Sequence, residues 1–134
     1  LARLYYYLFQ KTETQFTILY ALDGYDEISL TGGTKAFSNH GELLLNPEDF
    51  GVTPHDASTI SGGETVESSA AIFMDILQNK GSKEQQNVVC ANAGMALATA
   101  LDLSPLEGFE KAKIALESGK ALTAFKTLQQ FSQS

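Results

Sequence analysis

Phe16-Thr17-Ile18-Leu19-Tyr20-Ala21-Leu22-Asp23-Gly24 is a near-continuous apolar and β-branched run closed by a turn dipeptide. A strand with one wet face alternates apolar and polar residues. A run that is apolar at nearly every position fits a strand buried on both faces, as in parallel sheets. Residues 16–22 are therefore predicted to be such a strand, ended by Asp23-Gly24. A buried parallel strand needs neighbours on both sides and helices on both faces. The sequence holds too few strands of that kind, so the missing partners are expected to come from outside these residues.

Upstream, Leu1-Ala2-Arg3-Leu4-Tyr5-Tyr6-Tyr7-Leu8-Phe9 has helical spacing, with Leu1, Leu4, Tyr5 and Leu8 on one face. It opens without an initiator Met or a capping residue, so the chain is expected to be cut from something longer. The tyrosine triplet covers all sides of that helix, and burial around it is expected.

Downstream, Ile28-Ser29-Leu30, Lys35-Ala36-Phe37 and Glu42-Leu43-Leu44-Leu45 read as short strands. Asn39-His40-Gly41 supplies hairpin-turn chemistry between the last two. Asn46-Pro47-Glu48-Asp49-Phe50-Gly51 reads as one helical turn, and residues 52–63 as an irregular connection. The second half is helical. Residues 65–80 carry Val66, Ala70, Phe73, Met74 and Leu77. Ser82-Lys83-Glu84-Gln85 and Ser104-Pro105-Leu106-Glu107 each match a capping box that opens a helix. Leu106, Phe109, Ala112 and Leu116 line the core face of the second, and Leu122, Phe125 and Leu128 mark a last helix. Cys90-Ala91-Asn92-Ala93-Gly94-Met95-Ala96 is so rich in small side chains that another backbone is expected to pack closely on it. The predicted class is α/β, with few strands early and helices on the sheet after them.

Composition narrows the function. Apolar residues make up 43% of the 134 and charged residues 19%, a globular balance rather than a disordered one. Nine basic against sixteen acidic residues give a formal charge of −7. That argues against nucleic acid as a partner, because phosphate backbones are bound by clustered Lys and Arg. No apolar run approaches the roughly 20 residues that span a bilayer, so no membrane partner is expected. The single Cys90 cannot form an intramolecular disulfide, which fits a cytoplasmic protein.

Residues 23–27, Asp-Gly-Tyr-Asp-Glu, hold three acids at the carboxyl end of the first strand. Ligands of open α/β sheets bind outside the carboxyl ends of strands. Asp26 and Glu27 are hard oxygen ligands suited to Mg²⁺, which commonly takes one or two carboxylates, waters and substrate phosphates. A solvated turn is the alternative. Two carboxylates about 5 Å apart repel by about 0.8 kcal/mol in bulk water and about 3 kcal/mol at an effective dielectric of about 20. Exposed, the cluster needs no cation; partly buried, it needs one or a shifted pKa. The sequence leaves both readings open. Other candidates are weaker. Thr31-Gly32-Gly33-Thr34-Lys35 lacks the spacing of a phosphate loop. Ser61-Gly62-Gly63-Glu64 reads as a flexible helix entry. His40 and His55 lack partners at zinc-ligand spacing, and Cys90 reads as core.

Taken in order, several of these segments resemble one family. Leu22-Asp23-Gly24-Tyr25-Asp26-Glu27-Ile28-Ser29-Leu30-Thr31-Gly32 resembles the G-x-D-E-I-S segment of anthranilate phosphoribosyltransferases. Asn46-Pro47-Glu48-Asp49-Phe50-Gly51 is similar to that family's Pro-Glu-Asp-Phe-Gly turn. Asn92-Ala93 falls in its Asn-Ala-rich helix, and Glu117-Ser118-Gly119-Lys120-Ala121 is similar to its Ser-Gly-x-Ala. The match is collinear over essentially the whole chain and specific as a set. Ser68-Ser69-Ala70 departs from it, since the family commonly has Asn before that Ala.

The resemblance implies that residues 1–134 are the C-terminal portion of a phosphoribosyltransferase/nucleoside-phosphorylase-like domain. The family's helical N-terminal domain and pyrophosphate loop would lie upstream. It further implies transfer of a phosphoribosyl group from phosphoribosyl pyrophosphate to anthranilate in tryptophan biosynthesis, with Mg²⁺ as cofactor. By the same resemblance Asp26 and Glu27 fall on the metal-binding pair, and the full enzyme is expected to be a homodimer. The 134 residues alone are expected to be inactive. Two alternatives are a pyrimidine nucleoside phosphorylase-like enzyme and a non-catalytic acidic interaction module.

Overall fold

The computed structural model describes residues 1–132. Helix α1 (Ala2–Phe9) leads into strands β1 (Thr17–Ala21), β2 (Thr34–Ser38) and β3 (Gly41–Leu45). Short 3₁₀ turns at Pro47–Phe50 and Ala57–Thr59 follow. Four helices complete the chain: α2 (Val66–Leu77), α3 (Lys83–Leu101), α4 (Pro105–Glu117) and α5 (Lys120–Ser132).

The sheet is antiparallel throughout, in the order β1-β2-β3, with Thr17 opposite Ser38 and Ser38 opposite Gly41. This corrects the expectation of a parallel strand buried on both faces. Strand β1 is an edge strand; Tyr20 and Leu22 face solvent, while Phe16 and Ala21 are buried. The turn beside Gly41, whose φ of 107° suits glycine, folds β3 straight back on β2.

Residues 28–30 are a second correction. No strand forms there, and Leu30 has a φ of 60°, a left-handed conformation that ends any extended run. Ile28 and Leu30 are nevertheless fully buried, in a core shared with Ala36, Leu45, Phe50, Ala91 and Phe109.

The helices begin where the sequence predicts. The Ser82 and Ser104 hydroxyls accept from the amides of Gln85 and Glu107, at 3.1 and 3.3 Å. The central helix is α3. The chain bends by 117° between α3 and α4, and the two backbones meet at Gly94 and Gly108. A Cβ on Gly94 would lie 2.6 Å from the Phe109 nitrogen, so only glycine fits there. Phe109, Ala112 and Leu116 are buried as expected, whereas Leu106 is half exposed. Only Ile76 of α2 is buried, and α5 buries no side chain; Phe73 and Phe125 meet edge to face with centroids 4.9 Å apart. Of the tyrosine triplet, Tyr6 packs on Phe16 and Phe37, while Tyr5 and Tyr7 are exposed. Among the described residues no single helix is long and apolar enough to cross a membrane.

Candidate functional site

The acidic segment is a loop closed at its base by two ties. Asp23 forms the first. Its Oδ2 accepts from the buried Ser29 hydroxyl at 2.7 Å and from the Thr31 hydroxyl. Burial pushes the Asp23 carboxyl up, but the hydroxyls of Thr31 and Ser29 and the amides of Tyr25 and Asp23 outweigh it. The carboxyl ends below its ordinary value of 3.8.

Asn92 of α3 forms the second tie. Its Oδ1 accepts from the Ile28 amide at 3.0 Å, and its Nδ2 donates to the Ile28 carbonyl at 2.8 Å. The side-chain amide thus does for Ile28 what a neighbouring strand would have done. A third bond, Nδ2 to the Val88 carbonyl one turn back at 2.9 Å, fixes the Asn92 rotamer.

Residues 24–27 stand out between these ties, and all four are exposed. Asp26 and Glu27 follow the carboxyl end of β1, as the sequence predicts. Among the described residues no hydrogen bond or ion pair engages either carboxylate; the ion pairs are Lys35 with Glu42 and His40 with Asp102. No group of three or more His, Cys, Asp or Glu among them could hold a metal ion. The donor set is therefore partial: two unengaged, acceptor-only carboxylates on a fixed base. Being exposed, the pair does not require a cation for its own stability; as acceptor-only oxygens it could still serve Mg²⁺, which commonly takes one or two carboxylates along with waters and substrate phosphates.

The remaining candidates are accounted for structurally. Within residues 31–35 the Thr31 hydroxyl faces Asp23, the Gly33 carbonyl accepts from Leu22, and Lys35 pairs with Glu42. Gly63 packs against Ser68 and Ser69 at the start of α2. His40 lies 3.1 Å from Asp102, beside a cavity of about 270 Å³ under the hairpin. His55 lies 3.3 Å from Asn87, in a cavity of about 500 Å³ that also holds Lys83 and Lys113. Neither cavity reaches the acidic loop. Cys90 is buried, and burial pushes its thiol from 9.0 to about 11, so it is protonated and unreactive at neutral pH.

Sequence reasoning treated Asp23 as a strand-end residue and gave Asn92 no role in the loop. The Asp23 tie leaves a signal in sequence, hydroxyls six and eight residues on. The Asn92 tie leaves none, since its partner is 64 residues away.

Residues 1–122 match the family described as "Glycosyl transferase family, a/b domain". An anthranilate phosphoribosyltransferase of Christiangramia forsetii is 58% identical over 134 residues, covering 100% of this chain and 40% of its own length. One from Flavobacterium psychrophilum is 57% identical over 132 residues, 98% of this chain and 40% of its own length. The chain thus spans about 40% of the length of the curated relatives it matches. Among solved structures, the crystal structure of anthranilate phosphoribosyltransferase from Thermus thermophilus superposes with a TM-score of 0.80 at 24% identity. It covers 88% of this chain and 36% of its own. The Saccharomyces cerevisiae enzyme in complex with PRPP and Mg gives 0.72 at 22%, covering 82% of this chain and 32% of its own. These likenesses establish a shared α/β fold.

Proposed function

The chain belongs to the glycosyl transferase family, matching its a/b domain over residues 1–122, and from that premise we propose that it forms the acidic wall of a phosphoribosyl-transfer site. The observation that carries the reading is the loop of residues 24–27, held at its base and offering two unengaged carboxylates past the end of β1. Identity of 58% to an anthranilate phosphoribosyltransferase along the whole chain supports anthranilate as the acceptor. It favours that acceptor over a nucleoside, and an enzyme over a non-catalytic module. Yeast enzymes solved with PRPP and Mg, and with 4-fluoroanthranilate, support the corresponding substrates here.

In the reaction the bond from the ribose anomeric carbon to pyrophosphate breaks and a bond to the anthranilate nitrogen forms, the nitrogen losing its proton. Negative charge grows on the departing pyrophosphate. Bound Mg²⁺ would offset that charge. Asp26 and Glu27 would supply its protein oxygens; Asp23, whose carboxylate is occupied by Ser29 and Thr31, would not. The Asp23 and Asn92 ties set the loop before substrate arrives, so little ordering is left for binding. Anthranilate and pyrophosphate contacts are assigned to the part of the relatives' length that this chain does not span, and the assembled enzyme to a homodimer.

The test is Asp26→Asn with Glu27→Gln in the full-length protein, assayed for anthranilate consumption. Activity at limiting Mg²⁺ is expected to fall about 10-fold or more, with the melting temperature nearly unchanged. A Mg²⁺ dependence identical to that of the unaltered protein would refute the role.

A further inference from the structure

We propose that Asn92 is a positioning residue for the acidic loop, acting on Asp26 and Glu27 through the peptide unit that follows them. The inference rests on the metal-binding reading of that pair and extends it to a residue on a different element. The Ile28 amide belongs to the Glu27-Ile28 peptide, so the bond from Ile28 to Asn92 Oδ1 fixes the plane in which the Glu27 carbonyl lies. The bond from Asn92 Nδ2 to the Ile28 carbonyl fixes the next plane. Glu27 is thereby set on a backbone whose orientation comes from α3.

Both donors of the side chain are spent in this role, along with one acceptor site of Oδ1. One Nδ2 proton goes to Ile28 and the other to Val88, and Oδ1 takes the Ile28 amide. The bond to Val88 holds the rotamer, so the two bonds to Ile28 start from a fixed side chain. No other residue type reproduces the set. Asp lacks the donors, Gln places its amide one carbon further out, and Ser and Thr offer a single hydroxyl. The buried Ile28 side chain keeps the loop's root in the core, but it leaves the peptide plane free to tilt. Asn92 removes that freedom.

Asn92→Asp keeps shape and the acceptor for Ile28, while setting a carboxylate against two carbonyls. In the full-length protein, calorimetric titration with Mg²⁺–pyrophosphate should show a dissociation constant raised about 10-fold, the scale on which residues behind metal ligands act. Thr99→Ala is the matched control on the same helix. It loses a 2.7 Å bond to Thr17 far along α3 from the loop, and should lower the melting temperature while leaving that constant unchanged. Asn92→Asp lowering the melting temperature with no change in the constant would overturn the positioning role.

Asp26→Asn with Glu27→Gln, titrated in parallel, separates the two readings. If it weakens binding and Asn92→Asp does not, the positioning role falls and the metal reading stands. If it leaves binding unchanged, the metal reading falls and takes the role of Asn92 with it. Should Asn92→Asp not fold, hydrogen exchange on the unaltered protein decides. The Ile28 amide is expected to exchange at least about 100-fold more slowly than that of Asp26, which has no such partner. Equal rates would overturn the clamp.

Discussion

Asp23 and Asp26 are the same residue type three positions apart, and their surroundings make them different chemical groups. Asp23 spends its carboxylate on Ser29 and Thr31, whereas Asp26 meets only solvent. A carboxyl held below its ordinary value stabilises the fold at every pH above that value. Asp23 therefore contributes fully above about pH 3.8, and its contribution is lost as pH falls through the lower folded-state value. Asp23→Asn keeps an acceptor for the hydroxyls and removes the charge. Its melting temperature should lie below that of the unaltered protein at pH 7, and the gap should close as acid titrates Asp23. A gap constant from pH 7 to pH 2.5 would show that the charge has no part in closing the loop.

Helix α3 serves as a platform, with Gly94 toward α4 and Asn92 toward the loop. Because the backbones meet at Gly94 and Gly108, Gly94→Ala places a methyl against the Phe109 nitrogen. Such overpacking should cost about 1–3 kcal/mol in denaturant unfolding; a neutral effect would mean that α4 yields. That α3 packs closely was legible in the sequence, because small side chains state their purpose locally. So were the starts of α3 and α4, where cap and partner are three residues apart. The sheet was harder to read. An apolar run looks the same whether its neighbours run parallel or antiparallel, and only pairing with Ser38 decides it for Thr17. Ile28-Ser29-Leu30 has strand-like composition, yet the amide that satisfies Ile28 comes from a helix 64 residues on, and Leu30 adopts a left-handed φ. On α2 and α5 the apolar spacing is helical in the sequence and in the fold, but periodicity says nothing of what covers a face; Val66 and Leu128 are exposed.

Over the whole molecule, the same locality separates what this chain provides from what it lacks. Asp26 and Glu27 were legible as an acidic pair at a strand end, and their place beyond β1 agrees with that reading. Among the described residues no third His, Cys, Asp or Glu joins the two exposed carboxylates, so on the proposed reading they would hold a cation only weakly by themselves. Titration of the 134-residue chain with Mg²⁺ alone should give a dissociation constant on the order of 1 mM or weaker, consistent with one or two carboxylates in bulk water. Micromolar binding would mean that these residues form a complete site by themselves.

The glycine contact between α3 and α4 also has a bearing on the acidic loop. Helices packed through long side chains slide past one another with small adjustments, but two main chains in direct touch leave no slack along the axis. One residue of slip in α3 would be about 1.5 Å, half the length of a hydrogen bond, and would carry the asparagine off its target. The setting of the loop is thus tied, through Asn92, to the place where Gly94 of α3 meets Gly108 of α4 with no side chain between them.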